Sequence, residues 1–479
     1  MKNLTLFFTS LLFSQPFTSM AQTTIGGVFF NNTLITLSNS PYHVTSNILV
    51  PHGVTVRVEP GVVFFNDSGI LWQIEGEFQA QGTLNDSITF QLQANSTGEW
   101  QGFLFNSSAV PYNSATDSGC ILNYCKISNS QQPIWINDIS VYILHTDIKG
   151  GWGIVAYCSG AVIKHTRIHD GEYIAITTYL PAIFPQPVII DSCEIFNYVT
   201  GLGDIIRVNH AYLTNSCIHN ITTTENGVVG AAVTVWDGPD SKVENNNIYD
   251  NGVTGLLILD SPDTTVRIIG NNFSNNRINL GTTSCYKLPI IRQNNFNSFT
   301  SYNVYCKDDT WGVSNVFGYC NAIPNMNSYF TLDITQNYFG GLTAAQIDSS
   351  IYDLYDNFIG RTIIAYDTNI ASPYSNPLDC SHLFNPEITG ISLLNEDKSF
   401  SIFPNPASGE FNIALNKFYQ EVTLSVYDVV GKKIFERDYK NVSGTLTINL
   451  SGNDNGIFYV TLQSGKDKLT GKLCVLNSR

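Results

Sequence analysis

Nine short stretches of the chain share one pattern, a polar hook that ends in a single apolar residue. They are NYCKI (123–127), LHTDI (144–148), KHTRI (164–168), DSCEI (191–195), TNSCI (214–218), ENNNI (244–248), IGNNF (269–273), RQNNF (292–296) and TQNYF (335–339). The closing residues Ile127, Ile148, Ile168, Ile195, Ile218, Ile248, Phe273, Phe296 and Phe339 stand 21, 20, 27, 23, 30, 25, 23 and 43 residues apart. A period of 20 to 30 residues describes stacked units, none of which can bury its apolar face alone. The repeat therefore constrains the fold tightly and the chemistry weakly.

Two residues past most anchors stands Asn or Asp: Asn129, Asp170, Asn197, Asn220, Asp250 and Asn275. Both residue types tolerate the left-handed region and bond their own backbone, which suits a corner repeated in register. The runs that follow, such as IWI (134–136), GIVAY (153–157), AAVTVW (231–236) and GLLIL (255–259), are short, apolar and β-rich. One strand-turn-strand unit per repeat, with no helical periodicity, predicts an all-β parallel β-helix of about a dozen or more coils stacked about 4.8 Å apart.

Strand alternation then sorts the hooks into columns. The inward column reads Cys125, Thr146, Thr166, Cys193, Ser216, Asn246, Asn271, Asn294 and Asn337, and its last four members should form an amide ladder. The outward column begins Lys126, Asp147, Arg167, Glu194, alternating in sign as cross-strand neighbours should.

Residues 55–108 carry the same architecture, in TVRVEPGVVFF, LWQIEGEFQAQG, SITFQLQ and WQGFLFNSS. With the hooks they resemble the secreted right-handed parallel β-helix family with pectate-lyase-like repeats, over roughly residues 40 to 370. That resemblance implies fold more than activity, because the family includes lyases, hydrolases, epimerases, adhesins and inert stalks.

Residues 1–21 read as a secretory signal, with Lys2, the apolar LTLFFTSLLF run and Ser19-Met20-Ala21 before Gln22. No other segment is long and apolar enough to span a membrane. Residues 22–385 form the expected passenger, 386–399 a linker, and 400–479 a small immunoglobulin-like β-sandwich. This last part holds Phe403-Pro404-Asn405-Pro406 with Gly409, Val426-Tyr427-Asp428 with Gly431, and Gly456-Ile457-Phe458-Tyr459-Val460. These motifs resemble the C-terminal sorting domain of the type IX secretion system of Bacteroidetes. The resemblance implies handling by that machinery and a secreted or outer-surface location in a Gram-negative bacterium.

Charge divides along the same boundary. Residues 22–390 hold 13 Lys and Arg against 30 Asp and Glu, a net of −17, whereas residues 391–479 carry +1. An acidic passenger argues against nucleic acid as a partner, since phosphate binding needs clustered Lys and Arg. It disfavours strongly anionic polysaccharides unless calcium bridges them. Neutral glycans and proteins remain open.

Three groups of residues are candidates for chemistry. His145 and His165 should stack one coil apart on the outer surface, near Asp147 and Arg167, where a base and a cation, or two carboxylates, would serve a lyase or a hydrolase. Tyr179 and Phe184, in the Pro-rich loop 177–187, and Trp152 are candidate sugar-binding aromatics, with loop 220–230 leaning over the same face. Asp237, Asp240, Asp260 and Asp263, in two D-x-P-D turns one coil apart, are a candidate calcium site, and calcium is the one cofactor the sequence suggests. Cys306 and Cys320 flank the 43-residue gap and could staple an inserted loop, with Cys285 an alternative partner. The reading favoured is a non-catalytic surface or secreted protein that binds glycans or partners. The alternative is a carbohydrate-active enzyme, a polysaccharide lyase or glycoside hydrolase.

Overall fold

The computed structural model describes residues 22–475 apart from 95, 158, 180–185, 202, 225–229, 237–239, 260–264, 283–288, 307–329, 357–361, 368–369, 376, 381–399, 404–406, 408–409, 429–431, 451–455 and 465–466. The chain divides into two compact units, residues 1–384 and 385–479.

The first unit is a parallel β-helix with three strand positions per coil. We name these the corner sheet, the hook sheet and the broad sheet, in the order the chain visits them. Among the described residues the corner sheet has 11 parallel strands, from Thr33–Ile35 to Ile290–Arg292. The hook sheet contains Cys125–Ser128, Asp147–Lys149, Arg167–His169, Glu194–Phe196, Cys217–His219, Asn247–Tyr249, Asn272–Ser274 and Asn295–Phe296, each paired with the next. The broad sheet runs through Ile134–Asn137, Ile154–Tyr157, Ile176–Tyr179, Asp204–Val208, Ala231–Trp236, Thr254–Leu259, Asn276–Thr282 and Phe299–Cys306.

The corners fall where the short polar residues stand. Asn129, Asp170, Asn197, Asn220, Asp250 and Asn275 all adopt left-handed φ between 52° and 56°. A second left-handed corner precedes every inward residue, at Tyr124, His145, His165, Ser192, Asn215, Asn245, Gly270, Gln293 and Gln336. The anchors point inward and are fully buried, and each contributes about 1.5–3 kcal/mol relative to exposure. Phe273, Phe296 and Phe339 stack ring on ring at 5.2 and 5.4 Å.

The inward column is buried throughout. Asn246 Nδ2 donates to Asn271 Oδ1 at 3.0 Å, Asn271 Nδ2 to Asn294 Oδ1 at 2.9 Å, and Asn294 Nδ2 to Asn337 Oδ1 at 3.0 Å. Each amide oxygen also accepts the backbone N–H of the preceding coil's Asn, so one side chain satisfies both its own polar atoms and the corner's. A second buried ladder links Asn251, Asn276, Asn279 and Asn303 at 2.8, 3.0 and 2.8 Å. Cys125 and Cys193 occupy inward places as small apolar groups, and burial pushes the Cys193 thiol up to about 12.

Cys217 behaves differently. It stands on the outward column and forms a disulfide with Cys380, 163 residues away, with Cα atoms 5.9 Å apart. Residues 374, 375 and 377–380 return over the outer face of the hook sheet as a strap. Tyr374 N–H donates to Asn295 Oδ1 at 2.9 Å, Asn295 Nδ2 donates to the Ser375 carbonyl at 2.9 Å, and Asn247 Nδ2 to the Leu378 carbonyl at 3.3 Å. The expected partner of Cys306, Cys320, lies outside the described residues. Cys306 itself is buried at the end of its strand.

At the far end of the stack, helix Ala344–Ser349 starts at a Thr343/Gln346 capping box and packs Ile347 into the end of the core. The second unit is all antiparallel. Five strands, Phe400–Phe403, Glu410–Asp428, Lys433–Asn449, Gly456–Ser464 and Asp467–Val475, form one continuous sheet that curls as a half-barrel over Phe411, Leu424, Val426, Val460 and Leu473.

Candidate functional site

On the hook sheet, the sequence-predicted histidines do stack. The His145 ring lies 5.1 Å from that of His165 and 4.4 Å from that of Tyr124, all nearly parallel. Both histidines occupy left-handed corners rather than strand positions. Burial, with His165 beside it, lowers His145 to about 4, and burial also lowers His165. Burial thus favours the neutral form of both imidazoles.

Asp147 is directed to another imidazole and Arg167 to Glu194, so the structure groups these residues differently from the sequence expectation. His169 Nε2 lies 3.2 Å from Asp147 Oδ1, and its Nδ1 lies 3.0 Å from Asp170 Oδ2. Burial opposes protonation of His169, but the two carboxylates outweigh it and raise its pKa. Arg167 Nε donates to Glu194 Oε2 at 3.0 Å, its Nη1 lies 3.9 Å from Asp147, and its guanidinium lies 5.0 Å over the Phe196 ring. Glu194 in turn meets His219 Nε2 at 3.2 Å. His169, Phe196, His219 and Tyr249 form one ring ladder at 4.8, 5.2 and 4.8 Å. Every carboxylate here faces a cation or an imidazole. A lyase needs a cation turned toward substrate, and this Arg is turned toward two acids. The arrangement holds a surface together.

The broad sheet carries a different kind of site. Trp135 is the outward residue of Ile134–Asn137 and is 46% exposed. Trp152 is 44% exposed and sits in Gly150-Gly151-Trp152-Gly153, whose three glycines have φ of 81°, 66° and 63°. A Cβ on Gly151 would meet the Ser130 carbonyl at 2.1 Å, and one on Gly153 the Ala175 carbonyl at 2.0 Å. Only glycine lets the chain turn this tightly and present the indole outward. Between the indoles runs a groove of ≈ 280 Å³ lined by Leu71, Gln101, Leu104, Gln131, Gln132 and the two tryptophans, with Phe103 beneath. None of these residues is charged. Exposed Tyr173 continues the row, its ring 6.2 Å from that of Trp152, and Tyr157 stands on the next strand.

Farther along the same sheet, Tyr179 is engaged by its own fold. Arg207 Nη1 donates to Tyr179 Oη at 3.2 Å, Nη2 meets Asp204 Oδ2 at 3.3 Å, and the guanidinium lies 4.9 Å from the Trp236 ring. Phe184, Asp237, Asp260 and Asp263 lie outside the described residues. Asp240 occupies a left-handed corner and accepts from Tyr212 Oη at 3.3 Å. Among the described residues, no three His, Cys, Asp or Glu side chains converge as metal ligands would. Trp152 is the sequence-predicted residue that the structure brings into a groove. Trp135 was equally legible, as the middle residue of IWI, since alternation turns it outward. The glutamines carried no signal.

Fold and tail together define a β-helix passenger joined to an all-β C-terminal domain. Residues 401–476 match the family model described as secretion system C-terminal sorting domain, and this tail is the type IX sorting domain that its motifs resemble. It makes the chain a secreted or cell-surface protein. No helix among the described residues is long and apolar enough to cross a membrane. Six chains of solved structures match. Two are crystal structures of a periplasmic alginate epimerase, one of them a point mutant. Both are 13% identical to this chain, cover 70% of it and 84% of their own length, and have TM-scores of 0.39 for the mutant and 0.32 for the other. No curated protein matches.

Proposed function

We propose that the passenger is a non-catalytic glycan-binding protein, delivered by the type IX machinery, that holds an uncharged polysaccharide in the Trp135–Trp152 groove. The observation that carries this reading is the pair of exposed indoles facing glutamine amides in a groove without charge, on a passenger of net −17. Indole faces offer apolar surface to the C–H faces of sugar rings, and primary amides donate to and accept from hydroxyls. An anionic polymer would gain no cation in this groove.

The test is binding to a panel of neutral and uronate polysaccharides, with product formation assayed on the same panel. Binding of a neutral glycan without product is expected, and Trp152→Ala or Trp135→Ala should weaken it at least about tenfold, roughly 1.4 kcal/mol. Affinity unchanged in both variants would remove the groove from the argument. The second reading, a carbohydrate-active enzyme, is favoured by the Asp204, Arg207 and Tyr179 cluster on the mid-stack face. Product formed by the wild type and lost in Arg207→Ala would establish that reading instead.

A further inference from the structure

The two ends of the β-helix are built differently. At the far end, the helix carrying Ile347 covers the core. At the near end, the first of the described strands have open edges. Among the described residues, Thr23–Val28 pairs on one side, with Tyr42–Val50, and Thr33–Ile35 pairs on one side, with Thr55–Val58. Ile25 stands in register with fully buried Val44, yet remains half-buried, since among the described residues no coil lies beyond it. Around this edge Val28, Phe30, Leu34 and Leu37 are exposed by 42, 81, 56 and 50%.

Open edges are normally blunted by charge, above all by lysine. Here no Asp, Glu, Lys or Arg occurs from Asn3 to Val56, and Arg57 is the first, although 13% of the chain is charged. The rest of the passenger is strongly acidic. The first ionised side chains stand one coil in, with Arg57 in register beneath Leu34 and Glu59 Oε2 accepting the Leu37 N–H at 2.7 Å, so this end of an acidic passenger is a face on which two copies meet with little like-charge repulsion. A strand edge with alternating donors and acceptors is also self-complementary about a twofold axis, where it pairs antiparallel with itself.

We propose that the exported chain, once residues 1–21 are removed, associates end to end with a second copy of itself through this first coil, with Phe30 and Leu34 packed across the twofold. The experiment is sedimentation of the chain from Gln22 to Arg479 at concentrations on the order of 100 µM, where a micromolar dimer would be populated. Wild type is expected to sediment as a dimer. Phe30→Glu and Phe30→Lys, at a side chain too exposed to support the fold, should each raise the dimer Kd at least about tenfold. An equimolar mixture of the two variants should recover the dimer, because opposite charges then face each other. A wild-type monomer over the whole range would overturn the proposal. So would a dimer unaffected by either charge, or a mixture no better than the separate variants.

Discussion

The outer face of the hook sheet has two halves built on one backbone. In the first, the outward column reads Lys126, Asp147, Arg167, Glu194, with His169 and His219 beside it, and the face meets water. In the second it reads Cys217, Asn247, Asn272, Asn295, and the strap lies over it. Parallel register continues across the join, and the inward column stays buried while changing from Cys and Thr to Ser and Asn. What changes is whether the outward side chain keeps its solvent. An exposed column can use charge, at little gain per pair, whereas a covered one needs neutral groups that match backbone donors and acceptors one for one.

Substitutions along that single column test the contrast. The largest loss is expected from Cys217→Ser combined with Cys380→Ser, which frees the strap and should cost about 2–5 kcal/mol in denaturant unfolding, with faster proteolysis near residue 374. Asn295→Ala comes next. It removes the side-chain partner of the Tyr374 N–H and the Ser375 carbonyl in a part-buried contact, at about 1–3 kcal/mol by the same measurement. Arg167→Gln should cost about 1 kcal/mol or less, and the difference from wild type should shrink in 1 M salt. If Arg167→Gln proved costlier than Asn295→Ala, the two halves would not differ in the way described.

The same column shows how far the sequence could be read. Its first half was legible because alternation and sign reversal are local properties of each hook. The amide ladder from Asn246 to Asn337 was legible for the same reason, since every member holds the same place in its repeat. The strap was not. Cys380 follows the end of the repeat and carries no period, so nothing near it points to Cys217. Likewise the pairing of Asp147 with His169 rather than His145 depends on how consecutive coils align, which coil lengths of 20 to 30 residues leave open. The Trp135–Trp152 groove was half legible. Both indoles were marked by local pattern, but the glutamines beside them come from coils brought together only by stacking.

The strap also decides where mechanical load enters the passenger. The last described passenger residue before the tail's first strand is Cys380, and it is bolted to Cys217, three hook strands short of the final one. A pull transmitted along the chain from the tail would thus act within the stack, across many parallel ladders loaded at once. It would not peel the final coil away one hydrogen bond at a time.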